Sequence, residues 1–532
     1  MSLIALRAQV TFRDVPAKLV GKAVTAPPRP TRIEPVPLTT LVARADARLV
    51  GAPENVADLV TTGATLRAQH VLPGDLFAAL PGARVHGADF ADAAISAGAV
   101  AVLTDEAGAA RPAIRDSGIP VLLHDDPRGV LGAVAAWIYG EPSLQLAVLG
   151  VTGTSGKTTT TYMIDSGLRA AGLRTGLVGT VETRIDGERL ASAFTTPEAP
   201  DLQALFAVMV ERGVTHVPME VSSHALALGR ANGTRFAVGA FTNLSQDHLD
   251  FHPDMEDYFQ AKALLFDGRS TAEVVCVDGE WGKRLVTPRT ITVATDGEAD
   301  WTASGIRTSR SGEQSFTMHG PGLELAITLP IPGSFNVANA LLAAACLHSA
   351  GVTPADIAAG LSNVEVPGRM ERVALGQDFT AVVDYAHKPA AVALALDAMR
   401  GRTDGRLIVV LGCGGDRDQA KRPLMGEAAA RRADVLIATD DNPRTEDPAA
   451  IRAAMLDGAR AVPARDRGEV VEVGDRRAAI ETAVAQARPG DVVVIAGKGH
   501  ETGQEIDGVV HPFSDRDELR HAISVRLEKG AG

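Results

Sequence analysis

Gly150-Val-Thr-Gly-Thr-Ser-Gly-Lys-Thr-Thr-Thr-Thr161 is the stretch whose reading decides the fold. It follows an apolar run, Leu144 to Leu149, that reads as a buried parallel strand. It leads into Met163, Ile164, Leu168 and Ala171, spaced as one face of a helix. Strand, glycine-rich loop and helix in that order form a phosphate cradle. Backbone N–H groups and the helix N-terminus face the anion, Lys157 adds a point charge, and the Thr158 hydroxyl can hold magnesium. Five residues separate Gly150 from Gly156-Lys157 where the usual loop has four. The working unit is therefore Gly153-Thr-Ser-Gly156-Lys157-Thr158, and it reads as a nucleoside-triphosphate site.

Outward from this loop the chain has 532 residues, enough for about three to four domains. Apolar content of 45% and charged content of 22% are those of a soluble globular protein. Lys and Arg number 52 against 65 Asp and Glu, a net charge of −13 that argues against a nucleic-acid partner. No apolar run is long enough to span a bilayer. Cys276, Cys346 and Cys413 lack disulfide or metal spacing, which fits a reducing cytoplasm. No export signal is expected, and residues 1–37, rich in proline, read as a poorly ordered extension.

Residues 38–143 alternate short strands and helices, a small α/β domain that Glu141-Pro142-Ser143 closes. Residues 144–366 form the phosphate-loop domain, with an antiparallel patch expected between Trp301 and Leu329. Residues 367–532 repeat strand, loop and helix with strands near Thr380–Asp384, Arg406–Leu411, Asp434–Ala438 and Asp491–Ala496. That pattern is a doubly wound, Rossmann-like parallel sheet, which binds ligands beyond the carboxyl ends of its strands.

The candidate chemistry lies at strand ends. Thr195-Thr196-Pro197 is one stretch, and Glu220-Val-Ser222-Ser223-His224 with Arg230 is another. Glu220 stands where an acidic magnesium ligand sits, although a solvated carboxylate is the commoner fate of a single Glu. His248, flanked by Asp247 and Asp250, is a metal-ligand candidate. If Asp254–Phe266 is a helix, Lys262 falls on its apolar face with Tyr258, Phe259, Leu265 and Phe266. The pattern alone favours a snorkelling lysine there. The alternative is a desolvated amine of lowered pKa that takes up carbon dioxide as a carbamate.

Three loops share one character in the last unit: Gly412-Cys-Gly-Gly-Asp416-Arg417-Asp418, Asp440-Asp441-Asn442-Pro443-Arg444 and Gly497-Lys498-Gly499-His500-Glu501. Arg417 stands where a dinucleotide fingerprint needs its third glycine, which argues against a nicotinamide site. Arginines and carboxylates at one sheet edge suit a zwitterionic ligand.

Together with Thr242-Asn-Leu-Ser245 and Asp384-Tyr-Ala-His387, these stretches give a chain that resembles the Mur ligases of peptidoglycan synthesis from about residue 40 onward. The resemblance implies UDP-substrate, ATP and amino-acid domains in that order. ATP would lie on Gly153, Thr154, Ser155, Gly156, Lys157, Thr158 and Thr159, helped by Asn336, Arg369 and Asp384. Magnesium would be served by Thr158, Glu220, His248 and a carbamylated Lys262, with Lys157, Lys262, Glu220 and His248 as the catalytic set. Leu66, Ala68, Thr195, Thr196, Ser222 and Arg230 would bind UDP-N-acetylmuramoyl-L-Ala-D-Glu. Arg417, Asp441, Asn442, Pro443, Arg444, Gly497 and Glu501 would hold the amino acid. In the family the Asp-Asn-Pro-Arg loop marks meso-diaminopimelate rather than lysine.

The implied reaction is ATP-dependent amide formation through an acyl phosphate, in a monomeric cytoplasmic enzyme. His224 and His248 both stand as bases for the incoming amine. The rival readings are a lysine-adding or folylpolyglutamate-type ligase, and a regulator that hydrolyses ATP without ligating anything.

Overall fold

The computed structural model describes residues 27–51, 54–82, 84–190, 194–309 and 312–530. The chain divides into two compact units. One runs to Glu141 and takes in Ala199–Ala204; the other comprises Pro142–Glu198 and the chain from Leu205.

The first unit is built on a five-stranded sheet in the order Arg48–Val50, Val121–Leu123, Ala101–Thr104, Asp75–Ala78, Gly63–Thr65. Only the Arg48–Val50 edge is antiparallel. The inner strands are buried on both faces, one against Leu38, Leu41, Leu131 and Val134, the other against Ala88, Ala91 and Ile114. The expected disordered extension to Pro37 is corrected here from Pro27 onward, residues 1–26 lying outside the described residues. Val36–Pro37 pairs with Val60–Thr61, and Arg29 reaches Asp75 at 2.9 Å and also the Tyr139 hydroxyl. Asp75 is buried, and a buried carboxylate needs a partner; Arg29 supplies it and fixes a segment whose prolines suggested disorder.

The second unit holds two sheets. In the larger, of eleven strands, β1 (Ala147–Thr152) lies between β2 (His216–Glu220) and β3 (Phe236–Phe241), all parallel. Helix α1 (Lys157–Ala170) starts where Gly156 turns left-handed at φ 88°. Past β3 the sheet continues through Ser270–Cys276 and Thr290–Ala294. It ends in the antiparallel strands Trp301–Thr308, Gln314–Gly320 and Leu323–Leu329, as the alternating pattern required. Helices α2 (Ser223–Ala227) and α3 (Met255–Ala263) follow β2 and β3, each capped by a side chain, Ser222 and Asp254. Helix α4 (Phe335–Ser349) is buried almost throughout.

The second sheet contains β4 (Thr380–Asp384), β5 (Leu407–Cys413), β6 (Val435–Asp440) and β7 (Val492–Ala496). They lie parallel in the order β4-β7-β5-β6, so the loops after β5, β6 and β7 share one edge. Buried apolar residues of both sheets join in one cluster, from Leu149 and Val151 through Leu341 and Val366 to Leu396 and Val409. The far face of the second sheet has its own cluster around Val383, Val410, Ile480 and Leu519.

Candidate functional site

The phosphate loop is closed by its neighbours. A Cβ at Gly153 would stand 1.8 Å from the Thr242 hydroxyl, and one at Gly156 would stand 2.4 Å from Asn339 Oδ1, so only glycine fits either position. Ser155 N–H donates to Asn243 Oδ1 at 3.0 Å, and the Thr154 hydroxyl meets that of Tyr258 at 3.1 Å. Lys157 Nζ donates to the loop's own carbonyls, Gly153 at 2.9 Å and Thr154 at 3.1 Å. Burial, with the charge of Lys388 next, lowers its pKa to about 8. Thr159 is buried behind the loop.

Glu220 ends β2 and gathers donors. Thr158 Oγ1 reaches Glu220 Oε1 at 3.0 Å, while the Thr180 N–H and hydroxyl reach its two oxygens at 2.8 and 3.1 Å. The Thr180 hydroxyl also meets that of Thr195 at 3.0 Å. Thr196 bridges the same turn, donating to the Glu220 carbonyl at 2.9 Å and accepting from Ser222 N–H at 3.2 Å. Arg230 reaches the Thr196 carbonyl at 3.4 Å and pairs with Glu198 at 2.9 Å. Thr195, Thr196, Ser222 and Arg230 therefore cluster. Leu66 and Ala68 belong to the first unit, where they pack against opposite faces of its sheet.

Lys262 is 1% exposed, and this corrects the snorkelling reading. Helix α3 ends at Ala263, and the amine points inward over the Tyr258 ring to donate to the Gly153 carbonyl at 2.8 Å. That carbonyl also receives Lys157, so two amines meet at one oxygen. Burial, reinforced by Lys157 and Lys388, drives the Lys262 pKa well below the ordinary lysine value. His248, left-handed at φ 55°, turns its Nε2 to Asp247 at 3.1 Å and lies edge-on to His224 with centroids 4.8 Å apart. Burial lowers the pKa of His224 to about 4 and that of His248 to about 3, so both rings are neutral and weakly basic. Thr158 and Glu220 thus meet directly, whereas His248 and Lys262 each face another partner. Among the described residues no group of three or more His, Cys, Asp or Glu side chains could by itself hold a metal ion.

The second sheet reaches the same loop. Arg369 stacks on the Tyr385 ring at 4.0 Å and donates to Thr158 Oγ1 at 3.3 Å. Asp384 takes the N–H groups of Met370 at 2.7 Å and Ala386 at 2.8 Å, an arrangement that folds the Arg369 turn onto β4. Asn336 is buried at the start of α4, donating to the Pro332 carbonyl at 2.7 Å and accepting from Asn339 at 2.9 Å. Lys388, absent from the sequence expectations, reaches across to Asp247.

The three strand-end loops do come together, and the last two meet around a residue the sequence reading quoted but gave no role. Lys498 is fully buried, and its Nζ donates to Asn442 Oδ1 at 2.9 Å and Glu501 Oε2 at 3.0 Å, with Asp441 4.0 Å away. Asn442 also donates to Glu501 at 2.9 Å. Gly497, at φ 115°, leaves room for Asp441, whose Oδ2 a Cβ would meet at 2.6 Å. Arg444 follows Pro443 at φ 55° and is held by Glu505 at 3.2 Å and the Gly415 carbonyl at 2.6 Å. Arg417 is exposed at the rim of the Gly414 loop. Beneath them Arg476, buried and paired with Asp515 at 2.7 Å, donates to the Ala496 carbonyl at 2.9 Å and the Asp440 carbonyl at 3.3 Å. It braces the ends of β6 and β7.

Comparison with known proteins agrees with this layout. Residues 61–139 match the family model described as Mur ligase family, catalytic domain. Residues 151–347 match the Mur ligase middle domain, and residues 368–499 the Mur ligase, glutamate ligase domain. The UDP-N-acetylmuramoyl-L-alanyl-D-glutamate--2,6-diaminopimelate ligase of Streptomyces coelicolor is 55% identical over 505 residues, covering 93% of this chain and 98% of the relative. The ligase of the same name from Corynebacterium efficiens is 56% identical over 467 residues, 86% of this chain and 89% of the relative. A solved structure bearing that name superposes with a TM-score of 0.65 at 32% identity, covering 90% of this chain and 97% of the other. Folylpolyglutamate synthase of Mycobacterium tuberculosis shares the fold at a TM-score of 0.56 and 21% identity, covering 70% of this chain and 92% of its own.

Fold and phosphate loop define an ATP-dependent ligase that joins an acid to an amino acid. The chain belongs to the Mur ligase family.

Proposed function

We propose that the chain adds meso-diaminopimelate to the D-Glu γ-carboxylate of UDP-N-acetylmuramoyl-L-Ala-D-Glu, with ATP, in the cytoplasm. The observation that carries this reading is the likeness, over 93% of the chain, to relatives named for that ligation. The Asp441–Arg444 loop supports the choice of amino acid. Arg444 offers a fork for a carboxylate, while Asp441 and Glu501 suit an ammonium group.

A carboxylate oxygen of D-Glu attacks the γ-phosphorus of ATP, the bond to the bridging oxygen breaks, and that oxygen leaves with ADP. The amine nitrogen of diaminopimelate then attacks the acyl carbon, inorganic phosphate departs with the C–O electron pair, and the nitrogen loses a proton. Gly153 to Thr159 cradle the phosphates, and Lys157, freed from the loop carbonyls, neutralises charge as it moves. Thr195, Thr196, Ser222 and Arg230 orient the UDP substrate. Arg369 and Asn336 bind on the nucleotide side, and Asp384 holds the Arg369 turn.

The oxygen donors Thr158 and Glu220, 3.0 Å apart, fit a hard cation. They would hold magnesium with His248 and the carbamate of Lys262, and bound magnesium supplies neutralisation of phosphate charge. The shared Gly153 carbonyl supports carbamylation: two ammonium ions would repel there, so Lys262 carries the neutral amine that the addition needs. Its nitrogen attacks the carbon of carbon dioxide and releases a proton, leaving a carboxylate-like head group.

Phosphate release by the purified protein with ATP, magnesium and the UDP dipeptide tests the reading, with meso-diaminopimelate, L-lysine or no amino acid added. Release with diaminopimelate alone, and a tripeptide product by mass, is expected. Release with lysine would overturn the choice of amino acid; release without an acceptor would favour an ATP-hydrolysing regulator.

A further inference from the structure

Basic side chains gather around the phosphate loop, and one of them comes from the other sheet. Lys157 and Lys262 share the Gly153 carbonyl, and Arg369 touches Thr158. Lys388 sits immediately before α5 (Pro389–Arg400), at the end of the turn that follows β4. Its amine crosses to Asp247, in the loop after β3, and only 19% of its side chain is exposed. The turn is stiff, because Lys421 Nζ donates to the His387 carbonyl at 3.0 Å and His387 Nδ1 bonds the Tyr385 carbonyl at 2.7 Å. Asp247 also meets the neutral His248 ring at 3.1 Å, so Lys388 is held at the phosphate-loop side by an ion pair that a competing anion can replace. Glu220, another carboxylate here, is already filled by Thr158 and Thr180. Lysines and an arginine gathered in this way, largely removed from water, suit a polyanion such as the phosphates of ATP.

We infer that Lys388 is a catalytic residue, a lysine that the second sheet delivers to the terminal phosphate of ATP and that Asp247 holds when no nucleotide is bound. This rests on the ligase reading above and adds to it the residue that ties the amino-acid sheet to phosphoryl transfer. The role is that of an arginine finger supplied within the same chain: it offsets charge on the γ-phosphoryl oxygens as the bond to the bridging oxygen breaks. Lys388 forms no covalent bond and transfers no proton.

The test compares the full-length protein with K388M and K388C. K388M is expected to lower kcat/KM for ATP about 100-fold, on the scale of losing one preorganised charge partner. It is expected to weaken a non-hydrolysable ATP analogue about tenfold, the size of one charge-assisted hydrogen bond, with ADP affinity and thermal midpoint unchanged. A merely structural residue would move both nucleotides together, or neither. Cys276, Cys346 and Cys413 are buried, so 2-bromoethylamine applied to K388C rebuilds an amine at position 388 and should restore activity. Unchanged turnover in K388M, equal shifts for analogue and ADP, or no recovery on aminoethylation would each overturn the assignment. If the wild type ligates some other amino acid, the reading of the acceptor fails, while the same comparison on that acceptor still tests Lys388.

Discussion

Lys262 shows how far one residue can depart from its pattern. Its position among Tyr258, Phe259 and Leu265 was legible as helix spacing, and lysines so placed usually slide their amines out to water. What decided otherwise is 109 residues away in sequence: the Gly153 carbonyl, turned toward α3 by a loop conformation that only glycine tolerates. No local pattern could carry that information. Lys498 taught the same lesson from the other side, since its stretch was recognised while its role as the hub of Asn442 and Glu501 depended on two strand-end loops meeting. For Lys262 the consequence is measurable. Lys262→Ala should lose nearly all ligation, on the order of 1,000-fold as for removal of a preorganised electrostatic partner, and added bicarbonate should not restore it. In the wild type, labelled carbon dioxide should give a carbamate carbon signal that the variant lacks. Full activity in Lys262→Ala would end the carbamate role.

At the scale of elements, buried parallel strands were the most readable feature, because both faces are apolar and their runs are continuous. Thr380–Asp384 was placed to the residue, and β1, β5, β6 and β7 within one to three. Less legible was the hairpin of β8 (Gly503–Ile506) and β9 (Val509–Pro512), whose Ile506, Val509 and Val510 stay exposed and give no core-facing alternation. Its signal was the Asp507-Gly508 turn, with both residues at positive φ. The hairpin matters because it grips the Asp441–Arg444 loop. Arg444 N–H donates to the Glu505 carbonyl at 3.0 Å, and Asp507 N–H donates to the Arg444 carbonyl at 2.7 Å. The arginine is thus positioned by backbone on one side and by Glu505 on the other. Arg444→Ala should raise KM for diaminopimelate about 100-fold, the equivalent of roughly 2.7 kcal/mol expected from a lost bidentate carboxylate contact. KM for ATP should move less than about threefold. Equal changes in both constants would undo the contact with the amino acid.

On the scale of the whole second unit, the two sheets share one apolar cluster, and half-buried rings lie in the turns after β4 and β7. His387 meets Tyr385 edge-on with centroids 4.5 Å apart, and His500 lies tilted against it at 5.1 Å. Burial, added to by Lys388 and Lys421 in one case and by Arg369 in the other, holds both imidazoles at about 3. In the unfolded chain a histidine takes up its proton near 6.5. Between these values the unfolded state binds more protons than the folded one. The neutral rings therefore cost no stability above about pH 6.5, and stability falls steadily as pH drops through the window toward 3. Each ring contributes about 1.4 kcal/mol per pH unit well inside that window, so the pair should steepen acid destabilisation by about 2.7 kcal/mol per unit. Denaturant midpoints at pH 7, 6 and 5 measure this directly. His387→Asn combined with His500→Asn should lower stability at pH 7 yet flatten the decline toward pH 5, because asparagine cannot take up the proton. If the double variant declined as steeply as the wild type, the proton uptake would have to come from elsewhere, and burial of these two rings could not be what sets the acid limit of the shared core.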